Sequence, residues 1–155
     1  MRRLRGRTLR LARALFAKEA PDDAFALGFL QGEERALYLA MDPRDRAHGV
    51  RVAKRLLALY PEAPGFAVRA ALLHDVGKAL RPYRPWERVL VGLVSFSVPP
   101  YPLRRGVLGA LQVRRHHPLY GAERIRDPLV RALVLEHHAP QSLWGRRLHQ
   151  ADREE

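Results

Sequence analysis

Twelve prolines and eleven glycines cut this chain of 155 residues into short segments. Between those breaks the apolar residues recur at helical spacing, and no stretch alternates apolar and polar residues long enough for a strand. An irregular bundle of helices is the fold this leaves, so the chain is expected to be all-α and, at this length, a single domain. Leu4, Leu11 and Leu15 share one face of a first segment with arginines opposite, so residues 1–20 read as a basic amphipathic helix packed on the body formed by 21–155. Pro21-Asp22-Asp23 starts a short helix, and a second runs from about Gln31 to Met41. Asp42-Pro43 opens a longer one through Tyr60, with Asp as cap and Pro in the first turn. Its apolar face carries Val52, Leu56 and Leu59, and His48 lies one turn before Val52, so His48 points inward. Further helices are expected over Phe66–Val76, Trp86–Val98, Leu103–Arg115, Pro118–Arg126, Pro128–His138 and from Leu143 to the end, with a proline-rich loop at 81–85.

Composition narrows the chemistry. There is no cysteine, so neither a disulfide nor a thiolate site can form, and any metal must be held by nitrogen and oxygen. No apolar run is long enough to cross a bilayer. Arg10, Arg13 and Lys18 interrupt what would be the apolar part of an export signal, so the expected location is the cytoplasm. The formal net charge is +12, which favours anionic partners such as phosphorylated small molecules or nucleic acid.

Six of the seven histidines fall in order with two aspartates: His48, His74-Asp75, His116-His117, His137-His138 and Asp152. Imidazole and carboxylate together suit borderline divalent metals. Adjacent helical residues differ by about 100° around the axis. Near a helix end such as Gly77, a His-Asp pair can still converge on one ion, and a carboxylate has two oxygens with which to bridge two. The order points to a metal site, of one or two ions, assembled from several helices.

The segment Ala71-Leu72-Leu73-His74-Asp75-Val76-Gly77-Lys78 resembles the signature of the HD-domain metal-dependent phosphohydrolases. The earlier His48, in His48-Gly49-Val50-Arg51, and the late Ala151-Asp152 match that family's first and last ligands. His117-Pro118 and His137-His138 resemble its binuclear branch. The resemblance runs from about Asp42 to the C-terminus. It implies an HD-type helical bundle in which His48, His74, Asp75 and Asp152 hold one metal. Asp75 then bridges to a second, held also by His117, His137 and His138. The ions would be Fe, Mn, Co, Ni or Zn. It also implies that Lys78, beside the catalytic Asp75, neutralises a phosphate oxygen. Arg51, Arg104, Arg105, Arg114 and Arg115 are candidates for substrate phosphate by residue type, and Arg51, one turn from His48, is favoured among them. His116 is not expected to be a ligand, and His149 is expected at the surface.

The sequence departs from the binuclear phosphodiesterases after the histidine pair. Ala139 and Pro140 follow, where that branch has an acidic residue and then Gly-Tyr-Pro, so the basis for cyclic-dinucleotide specificity is missing. Substrate contacts are instead expected from the N-terminal segment, from 81–85 or from Pro99–Pro102. The leading expectation is hydrolysis of a phosphoester or phosphoanhydride on a small metabolite, a nucleotide above all, by metal-activated water. The alternatives are a di-iron oxygenase of the HD type, or a non-catalytic nucleotide- or RNA-binding domain with a structural metal.

Overall fold

The computed structural model describes residues 20–82, 84–93 and 97–155; the expected N-terminal helix over 1–20 falls outside them but for its last residue. Among the described residues the structure is helical, without strands. In chain order the helices are α1 (Asp23–Phe29), α2 (Glu33–Leu39), α3 (Pro43–Leu59) and α4 (Gly65–Leu73). A short 3-10 turn (Val76–Leu80) follows, then α5 (Pro85–Leu93), α6 (Gly106–Ala122), α7 (Pro128–Glu136) and α8 (Leu143–Glu154). None of them is long and apolar enough to cross a membrane.

Local chemistry explains most of the boundaries. Asp42 caps α3 by accepting the Arg44 amide at 2.9 Å, with Pro43 in the first turn. Asp127 accepts the Leu129 and Val130 amides at 2.9 and 3.1 Å, with Pro128 next. Ser142 accepts the Gly145 amide at 2.9 Å at the start of α8. In each case a side-chain oxygen satisfies an amide that the first helical turn leaves without a partner.

Helix α4 is the axis of the bundle. Ala67, Val68, Ala70, Ala71, Leu72 and Leu73 are all buried, so it is covered on nearly every side. Its alanines let α3 and α7 approach closely, and Val52, Ala53, Leu56, Val130 and Val134 complete the core around it. Arg69 on α4 ties in α2 and α7 through Glu34 and Asp127, both at 2.8 Å. Helix α8 lies along α3, with Leu148 and Ala151 fully buried. A smaller cluster of Val91, Val98, Ala110 and Leu111 joins α5 to α6.

The structure corrects four expected boundaries. Leu103–Arg115 and Pro118–Arg126 are not two helices. One helix, α6, runs through Pro118 from Gly106 to Ala122. The helix expected to reach Val76 ends at Leu73, so His74 and Asp75 form the joint between α4 and the 3-10 turn. The helix expected to reach His138 ends at Glu136, which leaves both histidines in the turn after it. The helix expected to reach Val98 is described only to Leu93, and Ser97–Pro99 are not helical.

Two glycines set the spacing on which the site depends. A Cβ on Gly49 would lie 2.9 Å from the Leu72 carbonyl oxygen, so α3 and α4 cross there at backbone distance. A Cβ on Gly77 would lie 2.0 Å from the His117 carbonyl oxygen and 2.8 Å from the Gly121 amide nitrogen. The 3-10 turn therefore rests directly on the α6 backbone. Each crossing stands within two residues of a histidine or aspartate of the ordered set, so close backbone packing occurs where those side chains must meet.

Candidate metal centre

All eight of the ordered residues except His116 line a single cavity of about 530 Å³, together with Lys78, Leu111, Arg114 and Arg115. Five elements contribute. His48 comes from α3, His74 and Asp75 from the α4 joint, His117 from α6, His137 and His138 from the turn after α7, and Asp152 from α8.

The nitrogen and oxygen atoms fall into two groups. In one, His48, His74 and Asp152 offer ligand atoms that all lie within 4.8 Å of one another; in the other, His117, His137 and His138 do the same. Asp75 lies between them. Its Oδ1 is 3.2 Å from His117 Nε2 and its Oδ2 is 3.7 Å from His74 Nε2. In the first group Asp152 Oδ1 lies 2.9 Å from His48 Nε2 and 3.7 Å from His74 Nε2. The imidazoles are nearly continuous, with ring centres 5.2 Å apart for His48–His74, His74–His137 and His117–His137, and 4.2 Å apart for His137–His138.

Backbone carbonyls orient three of these rings. His74 Nδ1 faces the Ala71 oxygen at 2.8 Å, His137 Nδ1 faces the Val134 oxygen at 2.6 Å, and His117 Nδ1 faces the Arg114 oxygen at 2.9 Å. A carbonyl can only accept, so each Nδ1 carries a proton and each ring turns its Nε2 to the cavity. His74 and His137 cap α4 and α7, where the last turn leaves carbonyls without amide partners.

The donor set fits a divalent metal. His117 Nε2 and His137 Nε2 are buried and have no hydrogen-bond partner. Leaving such atoms unsatisfied costs about 1–3 kcal/mol each, so a retained orphan acceptor needs an explanation. The contact of His117 Nε2 with Asp75 Oδ1 sharpens the point. Two acceptors at 3.2 Å repel unless a positive charge, a proton or a metal ion, lies between them. Burial pushes the pKa of His74 down, and pushes that of His137 down to about 2, assisted in each case by a neighbouring imidazole, so both rings are neutral and able to offer a lone pair to a cation. Burial also lowers His138, with His117 adding to it. For Asp75, burial acts upward, but Lys78, His74 and His117 outweigh it and hold the carboxyl well below the usual range. Asp152 is pushed up by burial and pulled down further by the His48 hydrogen bond and the nearby imidazoles, to about 2. Both carboxyls therefore titrate below the ordinary carboxylate range.

Asp152 sits three residues from the C-terminus and is nevertheless fixed. Leu148 and Ala151 anchor its helix in the core. Trp144 packs against Tyr60, and Arg147 lies 4.4 and 4.5 Å from the ring centres of Tyr60 and Trp144. Arg55 pairs with Glu154, and the Tyr60 hydroxyl donates to Gln150 at 2.7 Å. Leu143, expected to help, is exposed and does not. Glu136 accepts the Gln141 and Ser142 amides at 2.9 and 3.1 Å, which folds the turn bearing His137 and His138 directly onto the start of α8.

Lys78 reaches Asp75 Oδ2 at 2.5 Å and stands in the cavity wall. Arg51 does not: its guanidinium lies 3.5 Å from Glu155, on the α3–α8 seam, and is not in that wall. Arg114 and Arg115 take the place expected of it. Their register on α6, three and two residues before His117, is a signal that the sequence offered. His116 hydrogen-bonds the Val98 carbonyl at 2.6 Å, outside the cavity. His149 is half-buried, and its Nδ1 meets the His137 carbonyl at 2.8 Å, which steadies the histidine turn. Among the described residues, none of 81–85 and none of Pro99–Pro102 lines the cavity. Gln112 binds the Pro99 and Pro102 carbonyls at 2.8 and 2.9 Å.

No protein-family model matches this chain, nor does any curated protein or solved structure.

Proposed function

We propose that this protein is a metal-dependent phosphohydrolase that acts on a phosphoester or phosphoanhydride of a small metabolite, a nucleotide above all. The observation that carries the reading is the position of Asp75, whose two oxygens face two separate histidine groups. His48, His74 and Asp152 would hold one ion and His117, His137 and His138 the other, with Asp75 shared. When bound, divalent ions at such a site supply a nucleophile from water near neutral pH and offset charge at a phosphoryl centre. The order of these ligands, which resembles that of the HD-domain phosphohydrolases, supports the same reading.

The chain's own residues do the rest. Lys78, Arg114 and Arg115 place three fixed positive charges in the cavity wall, which favours an anionic substrate. If cations engaged Asp75, the Lys78 ammonium that now pairs with it would be available to a phosphate oxygen. The guanidinium groups can take two oxygens of one phosphate each. The buried walls around His74 and His137 keep bulk water from the ligands, and the exposed His138 marks the mouth.

The test is phosphate release. Protein loaded in turn with Mn, Fe, Co, Ni and Zn is assayed against phosphomonoesters, phosphodiesters and nucleoside polyphosphates. The expected result is turnover that a chelator abolishes and that Asp75→Ala removes. Silence across the whole panel, in protein shown to bind the metals, contradicts the proposal. Oxygen uptake by the iron form in place of phosphate release transfers the site to oxidative chemistry.

A further inference from the structure

His74 and His137 find their Nδ1 acceptors at helix ends, where spare carbonyls are normal. His117 has no such help. It lies inside α6, five residues from the helix end, where each carbonyl is ordinarily taken by the amide four residues on. The amide that would take the Arg114 carbonyl belongs to residue 118, and residue 118 is proline, which has none. The His117 ring occupies that vacated acceptor, with Nδ1 2.9 Å from the Arg114 oxygen and 3.2 Å from that of Val113. Its Nε2 is thereby turned to Asp75, 3.2 Å away, with no hydrogen-bond partner.

A proline inside a helix is costly, and here the helix continues through it. The surroundings hold it in place. Gly77 and Gly121 press the 3-10 turn against this part of α6. His116 and Tyr120, on either side of it, anchor α6 to the Val98 and Pro100 carbonyls at 2.6 Å each.

We propose that Pro118 is a positioning residue for the metal centre: by lacking an N–H it reserves the Arg114 carbonyl for His117 and so fixes that ring as an Nε2 ligand. The inference rests on the reading of the cavity as a metal centre. Its consequence is selective. Restoring an N–H at 118 gives the Arg114 carbonyl back to the helix and frees the ring to rotate or change tautomer. The position made by His117, His137 and His138 weakens, while that made by His48, His74 and Asp152 does not.

The experiment compares Pro118→Ala with an ester variant in which lactic acid replaces Pro118. Both lose the pyrrolidine ring, and they differ only in N–H against O. Cobalt(II) binding is followed by calorimetry, and the His117 tautomer by nitrogen NMR of the metal-free protein. In wild type the ring is expected to be protonated at Nδ1. In Pro118→Ala that state is lost and one of two cobalt equivalents binds about 10–100-fold more weakly, the range for removing an outer partner of a ligand. The ester keeps the wild-type tautomer and affinity. Equal cobalt affinities in alanine and ester variants overturn the proposal, even if both are less stable than wild type, because the N–H then does nothing. If wild type itself binds no cobalt, it is the metal-centre reading that has failed.

Discussion

Gly77→Ala puts the spacing argument to a direct trial. The added methyl would stand 2.0 Å from the His117 carbonyl oxygen and 2.8 Å from the Gly121 amide nitrogen, both backbone atoms that cannot swing aside. Real contacts of this kind do not fall below 3.0 Å, so the 3-10 turn and α6 must part by about 1 Å. Asp75 is two residues from the methyl, and His117 is the residue it strikes. The gap between Oδ1 and Nε2, now 3.2 Å, therefore opens by a similar amount. Overpacking of this kind costs about 1–3 kcal/mol. At ~2–4 °C per kcal/mol for a chain of this size, melting should fall by roughly 2–12 °C. A displacement of about 1 Å at reacting groups also costs on the order of 100-fold in turnover. The assay is thermal melting of metal-free protein by circular dichroism, with manganese binding and phosphate release on the same sample. Gly65→Ala is the control, since a Cβ there meets nothing within 4 Å. If Gly77→Ala melts and binds manganese like wild type while helicity is intact, the crossing does not set the site.

Three further outcomes follow from the same geometry. In wild type, a divalent ion at about 100 times its dissociation constant should add ~2.7 kcal/mol of stability. Asp75→Asn should lose that gain, read as a melting temperature that no longer responds to metal. In metal-free protein, stability should fall with acidification. His74 and His137 have folded pKa values below their ordinary 6.5, about 2 for His137, so the unfolded chain takes up those protons first. The stability is present above pH 6.5 and drains as pH falls toward 2. Below 3.8 the depressed carboxyls of Asp75 and Asp152 add a loss of the same sign. Melting of chelator-treated protein between pH 8 and 5 reads this, and a flat or rising temperature on acidification contradicts it. Arg115→Ala should raise KM for a phosphorylated substrate several-fold with a smaller change in kcat, whereas Arg51→Ala, on the α3–α8 seam, should change neither.

Much of the fold was legible because its punctuation is local. Asp42-Pro43 read as a helix start and is one, and the helices expected to begin at Pro128 and Leu143 do begin there, capped by Asp127 and Ser142 through amides two or three residues away. The inward direction of His48 followed from its spacing to Val52 in the same helix. What failed depended on partners remote in sequence. Pro118 reads as a break because proline in a helix interior is costly, and nothing nearby announces that Gly77 would pack against the helix there or that His117 would use the spare carbonyl. Arg51 was favoured for its nearness to His48, yet one turn of helix directs it to Glu155. His149 looked like surface because the carbonyl that it meets lies twelve residues earlier, in a turn that the sequence reads as helix. The order of the histidines and aspartates pointed to one site, the HD-domain resemblance implied His48, His74, Asp75, His117, His137, His138 and Asp152 as its members, and the structure brings these seven to one cavity.

The central claim is that these side chains hold a pair of cations with Asp75 between them. Anomalous diffraction from crystals of the manganese- or zinc-loaded protein tests it most directly. Two peaks are expected, one against His48, His74 and Asp152 and the other against His117, His137 and His138, with an Asp75 oxygen on each. A single peak that leaves His137 and His138 without metal, or peaks anywhere outside this cavity, would contradict the account.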